Sequence, residues 1–533
     1  MKKIFLLTAV VTVFALALLP ARGVAASDAS NKLRSAESII ENYYVDDVDA
    51  DSMVAEAIIA MLKTLDPHSS YSTPEETKAL EEPLQGNFSG IGVTFNLQSD
   101  TVFIIQPTAG GPSERVGILP GDRIIMVDDT LVSGVKMPRK EIMKRIRGPK
   151  GTDVRIKVFR PGVKNLIDFV ITRDDIPIYS VDAAYMVDDN VGYIRLSRFA
   201  ADTPDEVNKA MAQLRAQGMK HVMIDLQDNG GGYLTAATAL AEMFLKRGDK
   251  IVFTQSSRTN PKYYVAERTG NFGDGRVVVL VNQYTASASE ILSGALQDND
   301  RGAIVGRRTF GKGLVQRPFR FNDGSMMRLT ISRYYTPSGR CIQKPYSSGD
   351  DKDYRDDMSA RLRSGELMSA DSIHFDLSQL YHTANGRPVY GGGGIMPDRF
   401  VGLDTAFFTP YYRDLVAKGV LNKFVVNHLD NNRKALTKKY RKESQFLSDF
   451  NVTDAMLADI VAMGVSEGVE YNDEEWALSR DYVRYVVKAI LGRDLFEQAT
   501  YYKVMNPRNP IYIDAYELIS SPEQYNALLT IGK

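Results

Sequence analysis

The sequence predicts a multidomain α/β protein: a helical N-terminal segment, a β-rich second unit, an αβ core with a mostly parallel sheet, and a helical C-terminal domain. Two strand–turn–helix repeats carry the core. In the first, the apolar run His221–Leu226 passes through Gln227-Asp228-Asn229-Gly230-Gly231-Gly232 into a helical pattern over Tyr233–Leu245. In the second, Val277–Val281 passes through a short polar turn into Ser289–Leu296, and Ala303–Val305 follows as another short strand. Short β-branched runs bounded by polar residues read as strands buried on both faces. Their alternation with helices argues for a parallel sheet covered by helices. The third observation is length, since 533 residues give room for roughly three or four domains.

Each segment has its own signal. Residues 1–26 read as an export signal: Lys2 and Lys3, an apolar stretch Ile4–Leu19, and small residues Val24-Ala25-Ala26 before a cleavage point at Ser27. No later stretch reads as a transmembrane helix. The expected address is the periplasm or the cell exterior, with no integral membrane segment after cleavage. Residues 27–80 read as helical, with Val54, Ala57, Ile58, Met61 and Leu62 on one face, until Pro67 forces Asp66 out of helix. Residues 81–177 form the β-rich unit, with closing strands Val154–Phe159 and Ile167–Ile171 and a helix over Pro138–Arg147. Residues 178–404 form the core. Val191–Leu196 is a strand, Thr203 with Glu206 predicts a capping box, and Leu314–Phe321 with Met326–Ser332 predicts a hairpin around Asn322-Asp323-Gly324. A polar insert over about residues 346–387 opens on a flexible composition and reads equally as a lid or a surface loop. Residues 405–533 read as helical, Asn472 and Glu475 capping a helix that bears Trp476 and Tyr482. Docking, dimerisation and core extension all remain open for this tail.

Composition removes several function classes. A net charge of −1 gives no electrostatic reason to expect nucleic acid or an anionic membrane as partner. None of the five histidines forms an HExxH or similar pair, so no metal site is expected. The only cysteine, Cys341, cannot make an internal disulfide. Ser133-Gly134-Val135-Lys136 has the S-x-x-K spacing but lacks the companion motifs of the penicillin-binding enzymes, and is read as chance.

The chemistry concentrates in Asn282–Gln316. A serine at a strand-to-helix turn stands at the strand's carboxyl end, where helix N–H groups can receive an oxyanion. Thr285, Ser287 and Ser289 are all candidates, and nothing local decides among them. Lys312 lies between Gly311 and Gly313, so it can sit deep in a cleft. A buried lysine loses its proton more readily and can then act as a general base.

This stretch resembles the catalytic core of the C-terminal processing peptidases, tail-specific serine–lysine proteases of peptidase family S41. The shared pattern falls on Ser287, Glu290-Ile291, Gly311-Lys312-Gly313 and Gln316. The resemblance implies Ser287 as nucleophile, Lys312 as general base and Gln316 as the residue holding the lysine. It implies the Ala288 N–H as one oxyanion donor. The glycine turn resembles the family phrase that supplies the other, read here as Gly231 in preference to Gly232, although Gln227 stands where arginine is usual. Leu65-Asp66-Pro67-His68-Ser69 also resembles a family phrase, and His68 is read as structural. In the β-rich unit, Gly90-Ile91-Gly92-Val93 resembles the carboxylate-binding loop of PDZ domains, and Gly117–Ile124 resembles a second phrase of that domain. Glycines there let successive N–H groups converge on an anion.

The expectation is therefore a PDZ-like domain followed by an S41-type serine peptidase core, acting without cofactor as an endopeptidase on unfolded or precursor proteins. Its partners would be protein or peptide substrates with free C-termini, with an adaptor or homo-oligomer left open. The competing readings are a non-catalytic C-terminal-tail-binding scaffold that retains a protease fold, and a peptidoglycan-acting serine enzyme.

Overall fold

A computed structural model describes residues 28–98, 100–349 and 352–530. The expected export signal lies outside the described residues. The chain separates into two compact units between Thr64 and Leu65. The first holds the helices Asp28–Tyr43 and Ala50–Lys63, the second of which is capped by Asp49 accepting from Ser52 N. Residues 65–80, expected to continue this helical region, belong to the second unit. There a new helix, Pro74–Gln85, starts on a capping box of Thr73 and Glu76.

The second unit is built on a six-stranded sheet in the order Val181–Met186, Val191–Leu196, His221–Asp225, Val277–Val281, Ala303–Gly306, Arg399–Phe400. Every pairing is parallel except the first. Strand alternation sends neighbouring residues to opposite faces. Ile224, Val277, Val279 and Val281 pack with the helices Thr203–Ala216, Leu234–Glu242 and Ala288–Asp298. Met223, Val278 and Leu280 pack with Ile511, Ala515, Leu518 and Ile519 of the C-terminal helices. The end of the tail thus covers the second face of the core sheet, which explains why Val277–Val281 is wholly buried. Residues 411–491 form a separate helical core around Leu415, Phe424, Phe446, Ile460 and Val487.

A second sheet flanks the cleft. It runs Ser70–Ser72, Met326–Tyr335, Lys250–Ser256, Thr259–Val265, with Leu314–Arg320 hairpinned onto Met326–Tyr335. The Lys250–Val265 hairpin carries no Asn-Gly or Asp-Gly signal and was not expected from sequence. The predicted capping box at Thr203 does not form. The helix begins one residue earlier on Asp202, Thr203 Oγ1 donates to Ser180 Oγ, and the Glu206 carboxylate accepts from Ser180 N and Val181 N instead. A tertiary contact to the adjacent strand has taken the carboxylate from the local cap.

The β-rich unit is a five-strand antiparallel path from Val93–Gln98 to Ile167–Thr172, closed by the helix Arg139–Ile146, whose Ile142 and Ile146 enter its core. Ser133 Oγ donates to Ile124 O and accepts from Val102 N, so this serine is structural. Among the described residues, no helix is long and apolar enough to cross a membrane.

Candidate active site

Three turns meet at one cleft of about 370 Å³, lined by Gly230–Gly232, Ser287, Ala288, Lys312 and Gln316. Apolar side chains, including Leu80, Leu84, Leu234, Ile291, Leu314 and Met326, form much of its wall.

The three hydroxyls of the serine turn differ in their surroundings. Thr285 Oγ1 donates to Leu226 O and accepts from Asn282 N, and Ser289 Oγ donates to Asn229 O. Both hydroxyls are buried and engaged in tying this turn to the glycine turn. Ser287 alone of the three lines the cleft. Its backbone sits at φ 57°, ψ −116°, a region that non-glycine residues rarely adopt. That conformation is held by one local and one tertiary bond. Ser287 N donates to Glu290 Oε2 at 2.8 Å, and Ser287 O accepts from the Tyr334 hydroxyl at 3.1 Å.

The same two groups hold the lysine. Glu290 Oε2 also accepts from Lys312 N (2.9 Å), while its Oε1 accepts from Gly311 N and Thr309 Oγ1. The single Tyr334 hydroxyl proton is shared with Lys312 O, at 2.5 Å the shorter of its two contacts. One buried carboxylate and one buried hydroxyl therefore fix the backbones of Ser287 and Lys312 relative to each other. Burial raises the pKa of the Glu290 carboxyl above its ordinary value, and the four donors offset only part of that rise. Lys312 Nζ donates to Gln316 Oε1 at 3.0 Å, and Gln316 Nε2 donates to His68 O at 2.5 Å. Burial first, and the Arg328 guanidinium second, lower the Lys312 pKa to about 8, with Glu290 and Asp66 opposing. A depression from 10.5 to about 8 corresponds to about 3 kcal/mol of unfavourable environment for the charged form.

Gly231 is where the glycine turn touches the serine turn. At φ +95° it has no Cβ, and one placed there would lie 2.8 Å from Ala288 N and from Ser287 Cβ. Its own N–H, expected to serve an oxyanion, is donated to Asn229 Oδ1 at 2.9 Å in this structure. Among the described residues, the Ala288 and Gly232 N–H groups have no hydrogen-bond partner. Gln227, the departure from the family phrase, points elsewhere. Its Nε2 donates to Asp225 Oδ2 and its Oε1 accepts from Asn509, while Arg195 pairs with Asp225 at 2.8 Å.

In the β-rich unit, Ile91 O accepts from both Ser113 N and Ser113 Oγ, and Gly92 O accepts from Thr108 N. With the carbonyls so engaged, the Ile91 and Gly92 N–H groups carry no partner among the described residues, and Val93 opens the first strand of the sheet. Arg147 pairs with Glu82 at 2.5 Å and stacks on Phe88, 4.4 Å from the ring centroid.

Sequence reasoning missed Tyr334, Asn229 and the His68 carbonyl as parts of the site. Glu290 carried a signal of its own, the Ser-x-x-Glu spacing of a helix start. Tyr334 and the His68 carbonyl act through contacts between distant segments, which no local pattern announces.

Residues 190–353 match the family model of peptidase family S41, and residues 89–171 match that of the PDZ domain. Residues 411–497 match a family of unknown function. The carboxy-terminal-processing protease of Bartonella bacilliformis is 34% identical over 57% of this chain and 70% of its own length. The chain belongs to this S41 family of carboxy-terminal processing proteases. The processing protease CtpA of Bacillus subtilis is 35% identical over 59% of this chain, and the chain covers 66% of that relative. Among solved structures, the photosystem II D1 C-terminal processing protease aligns at 32% identity over 59% of this chain and 84% of its own, with a TM-score of 0.35. The matches leave the C-terminal helical core outside the peptidase family region, in agreement with its separate packing.

Proposed function

We propose that the protein is a serine endopeptidase of the periplasm or cell exterior that cleaves unfolded or precursor proteins and recognises their free C-termini through its PDZ domain. Ser287 Oγ attacks the scissile carbonyl carbon as its proton passes to the neutral amine of Lys312. The carbonyl oxygen becomes an oxyanion that accepts from Ala288 N–H and from the glycine turn, once the Gly231 N–H exchanges Asn229 Oδ1 for the substrate. Each such donor contributes about 2.7–4 kcal/mol to lowering the barrier. Lys312 returns the proton to the leaving amine. It then takes one from the water that hydrolyses the Ser287 ester and gives it to Ser287 Oγ as that bond breaks, which restores both groups.

The observation that supports this reading most strongly is the pairing of a cleft-facing serine in a rare backbone conformation with a buried lysine poised near pH 8. Surroundings that disfavour a lysine's charge suit a general base when, as here, the lysine also lines a cleft beside a serine. The PDZ part rests on the unpartnered N–H groups of Ile91 and Gly92, a suitable cradle for a terminal carboxylate.

The test is digestion of one unstructured polypeptide, with products read by mass spectrometry. Ser287→Ala and Lys312→Ala should each lower the rate by about 10⁴-fold or more, with folding retained. Cleavage by either variant at the wild-type rate would remove the proposed dyad. Amidating the substrate's C-terminus should weaken binding at least about tenfold, as expected for loss of a charge held by several N–H donors. Equal binding would detach the PDZ domain from terminus recognition.

A further inference from the structure

Among the described residues, the insert between residues 346 and 387 contributes no side chain to the cleft. Its helix Lys352–Arg363 instead packs behind the loop that carries Lys312. Arg361 donates to Arg308 O and Thr309 O and pairs with Glu366, which also pairs with Arg308. Lys344 Nζ donates to Tyr354 O and pairs with Asp357, and it lies 4.0 Å from the Tyr354 ring centroid and 4.1 Å from that of Phe310. Tyr354 itself is buried. Its hydroxyl is hydrogen-bonded to His68 Nε2 at 2.6 Å, and the two rings meet edge to face at 5.2 Å. The His68 backbone is further held by its N–H, which donates to Asp66 Oδ1.

These contacts converge on one amide. His68 O takes the Nε2 hydrogen of Gln316, which leaves Gln316 Oε1 facing Lys312 Nζ. A glutamine amide has two orientations that exchange its oxygen and nitrogen, and only one accepts from an amine. An amine that gives one N–H to Gln316 has its rotation fixed, so its lone pair can be aimed at the serine proton.

We propose that Tyr354 and His68 are positioning residues for Lys312, the insert helix serving as a brace that keeps the Gln316 amide turned to accept from Lys312 Nζ. The inference rests on the reading of Lys312 as general base. It gives the insert a place in the reaction without contact with substrate. His68 is not itself placed to act as the base, because its Nε2 is engaged by Tyr354 and its side chain does not line the cleft.

The experiment is steady-state kinetics on the full chain with the unstructured substrate. Tyr354→Phe keeps the ring beside Lys344 and removes only the hydroxyl. It should lower kcat by about ten- to a hundredfold, in line with the cost of misplacing a reacting group, and leave KM unchanged, with only the modest drop in melting temperature that one lost buried hydrogen bond brings. In a Gln316→Ala background the same substitution should cause no further loss, since the two act in series. His68→Gln, whose amide can still bond the Tyr354 hydroxyl, should retain more kcat than His68→Phe. This pair carries the test alone if Tyr354→Phe fails to fold. Wild-type kcat in Tyr354→Phe, equal kcat in the two His68 variants, or losses that multiply in the Gln316→Ala background would each overturn the proposal. Activity in Lys312→Ala would instead overturn the reading beneath it. An inactive Lys312→Ala beside a fully active Tyr354→Phe would sink the brace alone.

Discussion

Ser287 is held mostly by its own turn and the glycine turn beside it, whereas Lys312 is held by segments far apart in the chain. On the serine side, Asn229 O receives Ala286 N and Ser289 Oγ, and Thr285 closes onto Leu226. These are the ends of two neighbouring parallel strands, so the sheet itself brings them together. On the lysine side, the contacts come from the 65–69 turn, from Glu290 and, behind the loop, from the insert helix. Glu290 and Tyr334 are the points where the two sides join. The comparison teaches that a cleft serine can be placed by a turn, but a largely buried lysine needs walls. Its amine must be largely kept from water to stay near pH 8.

Breaking the joint should have the largest effect. Glu290→Ala removes the shared acceptor of four donors, Ser287 N, Gly311 N, Lys312 N and Thr309 Oγ1. It should destabilise the protein by about 3 kcal/mol or more and abolish cleavage, since each buried donor left unsatisfied costs about 1–3 kcal/mol. Chemical denaturation with an activity assay reads both. A fully active and stable variant would mean that the two sides are positioned independently.

The lysine side can then be separated from stability. Lys312→Met should be inactive yet more stable than wild type at pH 7 by about 1–3 kcal/mol, because an amine whose charged form is disfavoured is replaced by an apolar chain. The sign follows from the lowered pKa. Between about 8 and the ordinary 10.5 the unfolded chain binds more protons than the folded one, so wild-type stability rises with pH in that window. The advantage of Lys312→Met should therefore shrink as pH rises through it.

Activity has its own pH dependence. The base must be neutral, so kcat/KM should fall about tenfold per pH unit below pH 8 and level off above it. His68, whose pKa burial lowers to about 4, stays neutral across that range and adds no second step. A pH–rate profile that is flat from pH 6 to 9 would contradict Lys312 as the titrating base.

The smallest effects belong to the serine side's supporting hydroxyls. Ser289→Ala loses one bond to Asn229 O and should reduce stability by about 1 kcal/mol while keeping activity within tenfold. A loss as deep as that of Ser287→Ala would show that the nucleophile has been assigned to the wrong serine.

The difference between the two sides also explains what the sequence could reveal. The strands around Val277–Val281, the glycine turn, the hairpin after Lys312 and the Asn472 cap were legible, because periodicity, turn residues and caps are local signals. Resemblance picked out Ser287, Lys312 and Gln316, and the structure brings all three to one cleft. The Thr203 cap misled because Glu206 serves the neighbouring strand, and no pattern announced that the Gly231 N–H is donated to Asn229 Oδ1 in this structure. The insert's composition concealed a helix whose anchoring groups, Tyr354 and Arg361, find their partners only in the folded chain. The C-terminal helices gave no sign that they complete the second face of the core sheet, since an apolar stripe does not name the surface that it covers.

The most direct test of the dyad is mass-spectrometric mapping of a serine-reactive probe on the intact protein. The account predicts a single stable adduct at Ser287 in the wild type and little or none in Lys312→Ala, although the serine is still present. Modification at Thr285 or Ser289, or labelling of Ser287 at an unchanged rate without the lysine, would contradict it.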